Sequence, residues 1–133
     1  MIRRAWALLA SAMLLAALAS ASIAGPASAD PPFRCDGPQD PGLTINGKLV
    51  VPYDTFCMMY GATVKGRVVI KDEGSLCLHD STVHGSIYVG GYDACIGGST
   101  VNGSIQCAPG GIVSLGGDAT VTGSIGKNCV VKP

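Results

Sequence analysis

Beyond residue 29 the chain has no tryptophan, and the whole sequence holds only four Tyr and two Phe. An aromatic platform for stacking sugars is therefore hard to build. A basic stripe is also missing. From Asp30 onward, seven Lys and Arg stand against nine Asp and Glu, a net charge of −2. Such a surface makes nucleic acid a poor partner. There are only two His, His79 and His84, and neither has a Ser or Asp at a spacing that suggests a catalytic triad. No nucleophile, base and orienter come together, so the chain reads as a non-enzyme without a cofactor. After residue 30 no window keeps a 3.6-residue apolar period, which excludes helix as the main element.

The first 29 residues have a different character. Arg3 and Arg4 precede an apolar, Ala- and Leu-rich stretch from Ala5 to Ala24. Pro26 then breaks any helix, and Ala27-Ser28-Ala29 supplies the small residues that signal peptidase requires. Residues 1–29 read as a secretory signal peptide cut before Asp30; a retained membrane anchor is the competing reading. No Cys stands at the cleavage position, which argues against a lipoprotein. The expected product is secreted or held at the cell surface, with no membrane contact after cleavage. It has a Pro-rich lead-in or cap over residues 30–42 and one domain, with a C-terminal cap, over 43–133.

What this domain has is a repeat. The segments Thr44-Ile45-Asn46-Gly47, Thr63-Val64-Lys65-Gly66, Thr82-Val83-His84-Gly85, Thr100-Val101-Asn102-Gly103 and Thr120-Val121-Thr122-Gly123 recur with Gly-to-Gly spacings of 19, 19, 18 and 20. Each Gly is followed by Lys, Arg or Ser and then by an aliphatic residue. Around each step the apolar positions alternate. Val64, Val68 and Ile70 point one way, and Thr63, Lys65 and Arg67 the other. Gly occupies an inward position, where it leaves room for close approach of the coil walls. One such coil cannot bury its apolar row alone, whereas stacked coils form a continuous core. The pattern predicts an all-β fold, a single parallel β-solenoid of about five coils. Hairpins in a β-sandwich do not predict equal coil lengths.

The repeated Val-x-Gly-Ser/Arg-Ile/Val step resembles the bactofilin, or polymer-forming, family. It is carried by Thr63–Ile70, Thr82–Val89, Thr100–Ile105 and Thr120–Ile125, with Thr44–Val51 as a weaker first copy. The resemblance spans residues 43–127. It implies a right-handed parallel β-helix with no catalytic site, able to assemble end to end. The chain differs from that family in its export signal, its cysteines and its smaller number of coils. A left-handed hexapeptide helix stays open as the alternative. Val83, Val89, Cys95, Val101, Cys107, Val113, Ala119 and Ile125 recur every six residues.

Six Cys in a short exported chain read as three disulfides. Cys57, Cys77 and Cys95 fall at nearly the same place in successive coils. Each lies between apolar residues, with Phe56 and Met58 flanking Cys57, so all three are expected to point outward. The nearest-neighbour set is Cys35–Cys57, Cys77–Cys95 and Cys107–Cys129. Cys57–Cys77 with Cys35–Cys95 is the rival. Cys77, His79 and Cys95 also suit zinc, although an oxidising compartment favours the disulfide.

Two surface features remain. Thr44, Thr63, Thr82, Thr100 and Thr120 form an outward column that a water-ordering, ice-binding face could use; Lys65 and His84 beside it interrupt such a face. Asp54, Asp72, Glu73 and Asp93 come from turns of three coils and could hold Ca²⁺, although turns use Asp for local hydrogen bonds anyway. The leading expectation is a non-catalytic exported structural or interaction protein, self-assembling through its solenoid ends. The alternative is an extracellular binder of ice, Ca²⁺ or glycan.

Overall fold

The β-favouring Val, Ile and Thr of each repeat lie in short strands broken by Gly, Asp and Pro turns. The computed structural model describes residues 31–133. The expected signal peptide lies outside those residues. Sixteen strands, numbered in chain order, form three parallel sheets.

The first sheet stacks β1 (Phe33–Arg34), β4 (Leu49–Val51), β7 (Val68–Ile70), β10 (Ile87–Val89) and β13 (Ile105–Cys107). The second holds β2 (Gly37–Pro38), β5 (Phe56–Tyr60), β8 (Ser75–His79), β11 (Asp93–Gly97), β14 (Ile112–Gly116) and β16 (Val130–Lys132). The third holds β3 (Thr44–Ile45), β6 (Thr63–Val64), β9 (Thr82–Val83), β12 (Thr100–Val101) and β15 (Thr120–Val121). Each coil thus visits the third, first and second sheets in turn. The fold is the all-β parallel solenoid of about five turns that the repeat predicts, clasped by three disulfides. The Pro-rich lead-in adds the first strands of two sheets.

Register follows the repeat. Thr63 pairs with Thr44 and Thr82, and Val64 with Ile45 and Val83. In the first sheet Leu49, Val68, Ile87 and Ile105 stand in line. These aliphatic ladders point inward and form one core with Leu76, Leu78 and Ile96. Each fully buried Val, Leu or Ile contributes about 1.5–3 kcal/mol, so stacking supplies the stabilisation that a lone coil lacks.

The repeat glycines have a different role from the one expected. A Cβ on Gly66 would lie 2.5 Å from the Gly47 carbonyl oxygen, and one on Gly103 2.6 Å from that of Gly85. The crowding runs along the stack, between successive coils, and not between facing walls. Gly66, Gly85, Gly103 and Gly123 are each needed because the backbone of the coil before occupies the Cβ position.

Candidate functional site

The cysteines divide into core and surface. In β5 the inward residues are Cys57 and Met59, while Phe56 and Tyr60 are exposed. Cys57 pairs with Leu76, and Met58 pairs with Cys77. The expectation that Cys57 shares an outward column with Cys77 and Cys95 is thus corrected, as is the inward placement of Phe56 and Met58. The cause is a one-residue offset. Met58, 19 residues before Cys77, is the true equivalent, and a one-residue slip exchanges the two faces of a strand. Cys35–Cys57 is consequently a core disulfide, with both residues fully buried and Cα atoms 5.5 Å apart. Cys77–Cys95 joins neighbouring outward positions of the second sheet, and Cys107–Cys129 ties the last turn to the core. The bond between Cys77 and Cys95 occupies the sulfurs that the zinc reading needed.

Both histidines are on the outside. His79 stacks on Tyr60, with ring centroids 4.9 Å apart and planes 13° from parallel. His84 Nδ1 lies 3.3 Å from Asn102 Nδ2 in the next coil. The Thr column stands in register across the third sheet. Behind it is a ladder that the sequence did not reveal. The buried Ser81 hydroxyl accepts from the Ala62 N–H at 3.0 Å and donates to the His79 carbonyl at 2.9 Å. Ser99 repeats this one coil on, accepting from the Ser81 N–H and donating to the Gly97 carbonyl.

The most elaborate surface feature is the corner between the first and second sheets. A groove of about 320 Å³ there is lined by Asp54, Thr55, Phe56, Glu73, Ser75, Tyr92 and Asp93. Asp54 and Glu73 occupy equivalent turns and both adopt left-handed backbone, with φ of 55° and 58°. Three of the four turn acids of the sequence meet here; Asp72 does not line the groove. Asp93 Oδ1 is buried and lacks a hydrogen-bond partner among the described residues. No group of three or more His, Cys, Asp or Glu among those residues is close enough to hold a metal ion. The Tyr53 phenol beside the groove is held above its ordinary pKa of 10.0. Hydrogen bonding to the Glu73 carboxylate is the main cause, followed by the negative charge of that group.

A second cavity, of about 300 Å³, opens on the outer face of the first sheet. Pro32, Arg34, Lys48, Val50 and Lys71 line it, without a carboxylate. The basic residues are scattered in the sequence, and the coils bring them to one face. In comparisons with known proteins, the chain has no significant match to a family model, a curated protein or a solved structure.

Proposed function

We propose that the protein is a non-catalytic, exported structural or interaction rod that self-associates through its coil ends. The observation that supports this most is the state of the terminal strands. Among the described residues β3 and β15 each pair on one side only, and β16 ends the second sheet with Val130 and Val131 about half exposed. One-sided strands carry unpaired N–H and C=O groups that invite further strands. Stacking the first coil of one molecule on the last coil of another extends parallel sheets in the same sense. Such a head-to-tail contact propagates instead of closing. Pro38 has no N–H and blunts the edge at β2, and Ile125 already bridges to Ile105 at the β13 edge of the first sheet, so the third sheet is the better seam. The bactofilin-like repeat supports the same reading. Light scattering on the oxidised mature protein over a concentration series tests it. Mass is expected to rise with concentration and to fall back with Val121→Pro; a monomer throughout overturns self-association.

A second reading has one observation in its favour. Phe56 and Tyr92, exposed by 43% and 53%, line the corner groove with its carboxylates, and Tyr53, exposed by 62%, stands beside Glu73 at its edge. Aromatic faces beside carboxylates suit a neutral glycan, with rings stacking on the sugar and carboxylates accepting from its hydroxyls. A neutral-glycan array, repeated with Tyr92→Ala, separates this reading from the first.

A further inference from the structure

We propose that the outer face of the first sheet binds an anionic glycan, one bearing sulfate, phosphate or carboxylate groups, through Arg34, Lys48, Arg67 and Lys71.

Three coils supply the cavity. Arg34 in β1 sits directly over Val50 in β4. Lys48 lies two residues before Val50 on the same outward face, and Lys71 reaches in from the next coil. The floor is Val50, an outward-facing residue only 8% exposed. Cation tips on long aliphatic stems thus surround a small apolar base, with no carboxylate in the lining.

Lys48 belongs to a column of equivalent residues that runs along the coils. It immediately follows the repeat Gly, and the hydrogen bonds Leu49 N–H to Arg67 O, Val68 N–H to Ser86 O, Ile87 N–H to Ser104 O and Ile105 N–H to Ser124 O put the equivalent residues in one column. The column therefore reads Lys48, Arg67, Ser86, Ser104, Ser124. In its Ser half the structure is self-sufficient: the Ser86 hydroxyl accepts from the Ser104 N–H at 3.2 Å, and Ser104 Oγ accepts from the Ser124 N–H at 3.1 Å. Ser thus serves this coil position structurally, and the fold does not call for a cation there. Lys48 and Arg67 instead stand one residue ahead of β4 and β7 on neighbouring coils, whose backbones run about 4.8 Å apart, and like charges at such stacked positions repel. A bound anion removes that repulsion. The row then continues from cations into hydroxyls along the coil axis. An extended polyol chain with acidic groups matches this order: its anions meet Lys48 and Arg67, and its hydroxyls meet the serines.

The test is a titration of the oxidised mature protein with a sulfated dextran oligosaccharide, followed by backbone amide shifts and calorimetry. Neutral dextran, a DNA oligonucleotide and vesicles of phosphatidylglycerol are run in parallel. Shifts are expected at Lys48, Val50 and Arg67 with the sulfated oligosaccharide and not with neutral dextran. The double substitution Lys48→Ser, Arg67→Ser copies the residues of the later coils and should leave thermal stability unchanged or raised. It should weaken binding by about tenfold or more, as loss of two charged contacts does. The control pair Lys127→Ser, Lys132→Ser should change binding less than about twofold, since rim charges far from a site act weakly through salt. Equal losses from both pairs, no shifts on the first sheet, or binding to DNA or vesicles in preference to the sulfated oligosaccharide overturns the proposal. The outer face of the first sheet is separate from the coil ends, so this result is independent of self-association.

Discussion

Gly85 lies so close to Gly66 that a Cβ on Gly85 would sit 2.5 Å from the Gly66 carbonyl oxygen. The obstacle is backbone, which cannot rotate away. Gly85→Ala is therefore expected to push two coils apart and cost about 1–3 kcal/mol, the range for overpacking. Gly116 serves as the control. It has open space around its Cβ position and no left-handed φ, so Gly116→Ala should be neutral or stabilising by up to about 1 kcal/mol. Urea unfolding midpoints of the two variants check the contrast; equal effects would refute the stacking role.

The Ser81–Ser99 ladder gives a second prediction. Ser99 is 1% exposed, and its hydroxyl receives the Ser81 N–H at 3.0 Å. Ser99→Ala leaves that buried amide without a partner and should cost about 1–3 kcal/mol. Hydrogen exchange at the Ser81 amide should accelerate while exchange at the Val69 amide, on another sheet, changes only with global stability. An unchanged Ser81 rate contradicts the ladder.

These two cases show how far the sequence could be read. The inward Val and Ile positions of the repeat were legible because every coil spaces them alike around its Gly, and that spacing is the register itself. Cys57 was misplaced because Cys57 and Cys77 stand 20 residues apart whereas that coil is 19 residues long, and period-two alternation turns the one-residue difference into the opposite face. Ser81 and Ser99 were missed because a Ser before the Thr of a repeat reads as an ordinary turn residue. The basic face was hidden for another reason. Arg34 lies outside the repeat, in the lead-in, and only β1 pairing with β4 brings it over Val50.

The disulfides should differ in their tolerance of serine. In the next coil Ser114 already occupies the outward position equivalent to Cys95. Replacing Cys77 and Cys95 by Ser thus loses the cross-link, worth about 3 kcal/mol for a loop of this length, and little else. Replacing Cys35 and Cys57 by Ser loses a similar cross-link and also buries two hydroxyls at fully covered positions. The extra cost is expected to be about 1–3 kcal/mol per unsatisfied hydroxyl. Chemical denaturation of both double variants measures the difference; equal stabilities would count against a core position for Cys35–Cys57.

The Tyr53 phenol is predicted to ionise above 10.0 because Glu73 stands beside it. Its folded-state pKa exceeds the unfolded value, so the associated stabilisation is fully present below pH 10.0 and is lost as pH rises through the folded pKa. Glu73→Gln removes the charge and should return the phenol toward 10.0. A tyrosinate absorbance titration, with Tyr53→Phe to assign the transition, reads this directly. A midpoint indifferent to Glu73→Gln would place the two side chains apart.

The coil register underlies every one of these expectations, and six cysteines admit fifteen pairings that report on it. Mass-spectrometric mapping of disulfide-linked peptides from the oxidised, non-reduced protein is the most direct test. The register predicts peptides joining Cys35 to Cys57, Cys77 to Cys95 and Cys107 to Cys129. A peptide joining Cys57 to Cys77 would contradict it, because that bond requires Cys57 to face outward in line with Cys77, one residue away from the register described here.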